Sequence, residues 1–276
     1  HEEQLKSALQ ADSCTYDYTP CFKYVESFFR EADISIVNLE TTLSDSGPYS
    51  GYPTFKSPTA LGVEIRRIGV DLAAMANNHC LDRGRRGVQN TIRILDSLAI
   101  ERVGVYADSA DYVKNAVKYI ERGGIRFAFV NYTYGTNGIP LPKGVVVNQI
   151  DTVIMAQHLK SIPRSECDCV VAQMHWGNEY ERKPHPSQVR IKEFLHRHGV
   201  DLIVGCHPHV IQPYEVDSLG RITLYSLGNF ISNQRTPPRD GALMAQIDIE
   251  EVAVGVFSYH LKLIPVWVNL PKYEVL

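Results

Sequence analysis

Apolar positions recur at helical spacing in five segments, 22–31, 59–67, 85–98, 151–161 and 187–198. Between them lie short apolar runs of strand length, many rich in valine and isoleucine. The first two-thirds of the chain thus alternates strand and helix, which predicts an α/β fold with a mainly parallel sheet. From Val210 onward the strand patterns follow one another closely, at 210–216, 222–225, 242–249 and 252–263. That part is expected to be antiparallel and to form a second sheet packed on the first. Proline and glycine gather in short loops at 47–58, 135–144 and 237–241, and no low-complexity tract divides the chain.

One arrangement repeats four times. An acidic residue opens an apolar run, and the run ends in residues able to bind a metal. Asp33 leads 34–37 into Asn38-Leu39-Glu40, and Asp71 leads 72–76 into Asn77-Asn78-His79. Asp168 leads 169–174 into His175-Trp176-Gly177, and Asp201 leads 202–204 towards Cys206-His207-Pro208-His209. Ligands of open α/β sheets bind outside the carboxyl ends of the strands. Four strands of one sheet are therefore expected to bring Glu40, Asn78, His79, His175, His207 and His209 to one edge.

Each motif has an ordinary reading beside the functional one. His207-Pro208-His209 offers two neutral imidazoles with a stiff residue between them, and imidazole suits divalent transition metals. A lone pair of this kind is more often a turn whose histidines bond to backbone; three further ligand-rich strand ends tip the balance to metal. The Asn78 carbonyl suits coordination, while His79 suits proton donation or hydrogen bonding to an oxyanion. Asp82 reads equally well as a helix cap. Glu40 can bridge two cations, although a glutamate at a strand end is usually just solvated. Glu179 can orient a ligand or face water, and Asn38 and Asn229 lie near the motifs. Arg235 can hold an anionic group but falls in a loop. Trp176 reads as packing or a substrate platform. Cys80 and Cys206 fall inside the ligand motifs and read as small packing residues rather than thiolate ligands. Ser226 lacks the surroundings of a hydrolytic nucleophile.

Composition narrows the picture. The chain has 276 residues, 44% hydrophobic and 21% charged, enough for a sizeable core. A net charge of −3 gives no basic footprint, so no nucleic-acid partner is expected. Arg83, Arg85 and Arg86 sit beside acidic neighbours and read as solvated. Six cysteines are too few for a disulfide scaffold at this length. Cys14 and Cys21 flank a polar stretch and could pair in an oxidising compartment, and Cys167 and Cys169 read as buried on one face of a strand. No run reaches transmembrane length and no signal peptide is visible. The first residue is His1, and a segment upstream of it is expected.

Together these motifs resemble the CapA family, the poly-gamma-glutamate capsule biosynthesis proteins, which have a calcineurin-like metallophosphoesterase fold. The residues that carry the resemblance are Asn38-Leu39-Glu40, Asn77-Asn78-His79 with Asp82 and Gly84, and His175-Trp176-Gly177 with Glu179-Tyr180. His207-Pro208-His209 and Tyr225-Ser226-Leu227-Gly228-Asn229-Phe230 complete the set. Their order and spacing span nearly the whole chain, so residues 1–276 are expected to be a single domain.

The resemblance implies a four-layer α/β/β/α sandwich of metallo-dependent phosphatase type holding two divalent metal ions, manganese, zinc or iron. It implies Glu40 as the bridge, Asn78, His175 and His207 on one ion, His209 on the other, and His79 as general acid or oxyanion donor. The family's first strand carries a Gly-Asp motif whose Asp is a ligand; this chain starts after that point. Two functions follow as expectations. One is metal-dependent phosphoester hydrolysis in capsule synthesis, the ions activating water for attack. The other is a non-catalytic envelope component that binds or guides an anionic polymer, with other capsule-synthesis membrane proteins as partners. The implied location is the extracytoplasmic cell envelope, with anchoring through an upstream segment.

Overall fold

The computed structural model describes residues 1–276. Three parallel strands, in the order Ile36–Asn38, Leu72–Ala74 and Glu101–Val103, make one sheet. A second, six-stranded sheet runs Tyr214–Val216, Ile222–Leu224, Leu202–Cys206, Cys169–His175, Ile125–Thr133 and Lys118–Arg122. Its four central strands are parallel and its two edges antiparallel. A long hairpin, Gly241–Ala253 with Val256–Asn269, is joined by Glu274–Val275.

This corrects the expected division of strands. The four ligand-bearing strands belong to two sheets, two strands to each, and not to one. Nor does a separate antiparallel sheet begin at Val210. Tyr214–Val216 and Ile222–Leu224 extend the sheet already built, and only the hairpin stands apart. Pro213 precedes the strand within 210–216, which keeps Val210 to Gln212 out of the ladder apart from one bridge between Ile211 and Leu227.

Period-two burial places the sheets. Leu72 and Val103 share a core with Phe129, Cys169, Val171, Leu202, Ile222 and Leu224, so these faces of the two sheets pack together. Alternate residues of the six-stranded sheet, Val170, Ala172, Met174 and Ile203, meet Met155, Leu159 and Leu195 from helices Thr152–Ser161 and Pro186–Arg197. Ala73 instead faces Ile65, Ile68, Val88, Ile92 and Leu95 of helices Thr59–Ile68 and Gly84–Ser97. Val88, Ile92 and Leu95 recur at the spacing that brings one helix face onto a sheet.

Four of the five expected helices form within one residue of their expected ends. Gly69, at φ 110°, closes Thr59–Ile68, and the Asp151 carboxylate caps Thr152–Ser161 by accepting from Val153 and Ile154. The segment 22–31 instead splits into Thr19–Phe22 and Glu26–Glu31. The break lets Phe22, Val25 and Phe29 all enter one core.

Three of the four acids that open the strands brace the neighbouring strand; Asp33 does not. Asp71 accepts from the Ser35 amide, Asp168 from Arg126 and Asp201 from Val170, at 2.8–2.9 Å. Each satisfies a backbone donor at the amino end of the next strand, so this half of the repeat is structural. Cys14 is exposed, Cys21 is buried, and both are free thiols, so no disulfide joins them. Cys167 precedes the strand and packs on its helix side, whereas Cys169 faces the other sheet; they do not share a face. No helix is long and apolar enough to cross a membrane.

Candidate metal centre

The carboxyl ends of Ile36–Asn38, Leu72–Ala74, Cys169–His175 and Leu202–Cys206 converge although they come from two sheets. Asn131, on Ile125–Thr133, ties the sheets here. Its Oδ1 accepts from the Ala76 amide at 2.6 Å, and its Nδ2 donates to the Gln173 carbonyl at 3.1 Å.

His175 sits fully buried at the centre. Its Nε2 is 2.9 Å from Asn78 Oδ1 and 3.7 Å from Glu40 Oε1. Asn38 Nδ2 donates to the other Glu40 oxygen at 2.9 Å. Asn77 holds the first two strand ends in register, donating from Nδ2 to the Leu39 carbonyl and accepting the His79 amide on Oδ1. The His207 ring lies 4.8 Å from that of His175 and 5.9 Å from that of His209. Glu179, His207 and His209 each offer a ligand atom, all within 4.8 Å of one another. Asn229 Oδ1 meets His209 Nδ1 at 2.8 Å, and Asn229 Nδ2 donates to the His209 and Arg239 carbonyls.

Backbone geometry shapes the HxH turn. His207 and His209 both have positive φ, 97° and 58°. Such conformations cost L-residues about 1–3 kcal/mol each and collect at functional sites. The approach to the turn also demands Gly205, where a Cβ would lie 2.1 Å from the Tyr225 carbonyl oxygen. At Gly228, φ is 80° and a Cβ would lie 2.6 Å from the Gly241 carbonyl oxygen, so two backbone segments approach closely there. Trp176 is buried and donates Nε1 to the Tyr225 carbonyl, so it packs rather than offering a platform.

Burial dominates the electrostatics. It pushes the Glu40 carboxyl above its usual range, against the pull of His209 and His79. It holds His175 well below the usual imidazole value, helped by His207, His209 and His79. His207 is lowered to about 3 by burial and then by His209 and His79. These imidazoles are therefore neutral near pH 7, with lone pairs to donate. His207 Nδ1 is buried and has no hydrogen-bond partner. An orphaned imidazole nitrogen on a residue grouped with Glu179 and His209 fits a metal ion.

Asp82 does not cap the helix after it; Arg83 holds that position, and no side chain caps it. The Asp82 carboxylate instead accepts from the Phe55 amide at 2.6 Å and meets His79 Nδ1 at 2.8 Å. Arg235 is held elsewhere, by the Val268 carbonyl at 2.8 Å and over the Tyr273 ring, with no contact to the histidines. Glu179 stands among the candidate ligands themselves. Tyr134 and Asn137 had no sequence signal of metal chemistry. Tyr134 lies nearly parallel to His175, at 6.1 Å and 10°, and 4.4 Å from His207, while Asn137 accepts from Asn78 Nδ2 at 3.1 Å. Both follow the carboxyl end of Ile125–Thr133, and that position alone could have found them.

Fold and site together define a mixed α/β protein whose strand ends assemble a group able to hold a metal ion. The family described as "Bacterial capsule synthesis protein PGA_cap" matches residues 1–234, and the chain belongs to that family. It is 31% identical over 236 residues to the capsule biosynthesis protein CapA of Bacillus anthracis, covering 81% of this chain and 56% of that one. It is 30% identical over 246 residues to the PGA biosynthesis protein CapA of Bacillus subtilis, covering 86% and 63%. The chain thus spans about three-fifths of the length of these relatives.

Among solved structures, a hypothetical protein from Thermus thermophilus aligns with a TM-score of 0.50 at 14% identity, over 87% of this chain and 92% of that one. The sulfate thiohydrolase SoxB of Thermus thermophilus aligns at 0.50 and 16% identity, over 75% and 36%. Both likenesses bear on the fold alone.

Proposed function

We propose that this chain is a metallophosphoesterase-like component of capsule, or poly-gamma-glutamate, synthesis in the cell envelope, built on a four-layer α/β/β/α sandwich. The three separate cores support the layering, since each fits between two successive layers. The observation that carries the functional reading is the convergence of two donor groups. Glu40, Asn78 and His175 form one; Glu179, His207 and His209 form the other, and the His175–His207 contact joins them. Two divalent ions, manganese, zinc or iron, fit this set, with Glu40 the residue to bridge them. Bound there, such ions would supply Lewis acidity for phosphoester hydrolysis.

The protein's own part is positional and acid–base. Asn77 and Asn131 hold strand ends from both sheets in place. Asp82 engages His79 Nδ1, which leaves Nε2 to deliver a proton to a leaving oxygen. The test is metal analysis of the full-length protein together with a panel of phosphomonoesters and phosphodiesters. Metal-dependent turnover supports hydrolysis.

A second reading, a non-catalytic component that binds or guides an anionic polymer, has its own support. Lys56, Arg83 and Arg86 lie close enough that the two arginines, after burial, hold the Lys56 ammonium below its usual value. None of the three has a carboxylate within ion-pair distance; the neighbouring Asp82 is turned inward to His79, and Arg83 donates instead to Ser50 and the Thr54 carbonyl. The ridge adjoins the site through Phe55, whose ring lies 4.6 Å from that of His79. A protein that binds metal and polyanion but turns over no phosphoester fits this reading. Other capsule-synthesis membrane proteins are the partners we propose for either role.

A further inference from the structure

His175 and Cys206 are register partners on adjacent parallel strands, so their side chains leave the sheet on the same face. There Cys206 Sγ lies 3.1 Å from His175 Nδ1. The sulfur has two other polar neighbours. Its S–H donates to the Met174 carbonyl at 3.4 Å, and Gln173 Nε2 donates to it at 3.8 Å. A thiol has a single hydrogen. Directed at Met174, that hydrogen leaves sulfur lone pairs facing Nδ1.

The other ring nitrogen faces acceptors. Nε2 is 2.9 Å from Asn78 Oδ1 and 3.7 Å from Glu40 Oε1. Asn78 cannot offer its amide hydrogens here, because its Nδ2 donates to Asn137 Oδ1 at 3.1 Å. With the ring proton on Nδ1, three lone-pair atoms converge with no hydrogen between them, an arrangement a cation relieves.

We propose that Cys206 is a positioning residue that accepts the Nδ1–H of His175, fixes that tautomer, and so presents the Nε2 lone pair to a metal ion beside Asn78 and Glu40. The inference rests on the metal reading of the site. Hydrogen bonds to the free nitrogen of a ligating histidine set its tautomer and orientation in general; a thiol is the partner here.

The first test needs no substitution. In metal-free wild-type chain carrying 15N-labelled histidine, long-range 15N–1H spectra should place the His175 proton on Nδ1, and zinc addition should leave it there. A proton on Nε2 in the metal-free protein overturns the proposal. In zinc titrations, Cys206→Ala should lose about 10–100-fold in affinity. Cys206→Ser should recover most of it, since the hydroxyl offers the same donor and acceptor. No loss in the alanine variant, or equal loss in both, also overturns it. Zinc that fails to bind the wild type overturns the metal reading underneath, while the tautomer is scored separately from the metal-free spectra.

Discussion

His175 Nε2 lies 2.9 Å from Asn78 Oδ1, across 97 residues of sequence and across the junction of two sheets. Side chains so distant meet only when both strand ends are in register. The contact is thus a sensitive reporter of the assembled site. The HxH pair depends on the same assembly. His207→Ala or His209→Ala should lower bound transition metal while leaving the fold intact. Partners of ligands alone are worth about 10–100-fold in affinity, and the loss here should be at least that large. Metal content by elemental analysis, with circular dichroism as the fold control, checks it; wild-type metal content in both variants refutes the site.

His79 separates chemistry from coordination. Its Nδ1 is engaged by Asp82 at 2.8 Å, while the consecutive Asn78 turns towards His175. His79→Asn should keep metal content and slow phosphoester hydrolysis on the order of a hundredfold. Poor leaving groups should suffer more than activated aryl ones, because they need the proton most. Parallel metal analysis and kinetics on two such substrates decide it. Loss of metal along with activity makes His79 a ligand instead.

The strained turn gives a stability prediction. At φ 97°, His207 sits where any side chain with a Cβ is disfavoured. His207→Gly and His207→Ala both remove the imidazole, but only glycine relieves the backbone. In metal-free protein the glycine variant should be the more stable of the two, by roughly 1–2 kcal/mol. Urea unfolding of the pair measures the difference; equal midpoints with equal slopes rule out the strain.

Acid should destabilise the metal-free fold from a pH above the usual carboxylate range. His158, held between the hydroxyls of Tyr112 and Tyr132, and His196, bonded to Val200 and Thr223, are both lowered from 6.5, by burial in the first place. Their unfolded forms therefore bind protons first as pH falls below 6.5. Stability is complete above that value and declines towards the folded-state pKa values. Glu40 and Asp201, raised by burial, oppose this at lower pH. Replacing both histidines, as His158→Gln with His196→Asn, should reduce the slope of unfolding free energy between pH 5 and 6.5, the remainder coming from His175 and His207, which burial lowers further. An unchanged slope shows that these imidazoles do not govern it.

The basic ridge predicts a salt-sensitive contact. Arg83→Glu with Arg86→Glu should weaken binding of a polycarboxylate such as polyglutamate, and added salt should weaken the wild type in the same direction. Binding of zinc to the same variant should be unchanged. Polyanion affinity that ignores both charge reversal and salt removes the ridge from the function.

The repeated acid–strand–ligand pattern of the chain was enough to name the strand ends and nearly all of the polar groups that meet there. Period two in the strands and the 3.6-residue repeat in the helices are local properties, so four of five helices and the ligand-bearing strands were legible without any fold. Which sheet each strand joins was not. Leu72–Ala74 and Leu202–Cys206 have similar apolar patterns, and only the shared core of Leu72 and Val103 with Val171 and Leu202 places them in facing sheets. The tertiary structure also decided the roles of side chains whose chemistry is ambiguous in isolation. Asp82 caps nothing and holds His79; Glu179 joins His207 and His209; Cys206 meets His175 because the two are partners in register. A sequence specifies donors and acceptors along one dimension, but each of these groups has several possible partners. The choice among them is made by strand register and burial, which exist only once the sheets have packed.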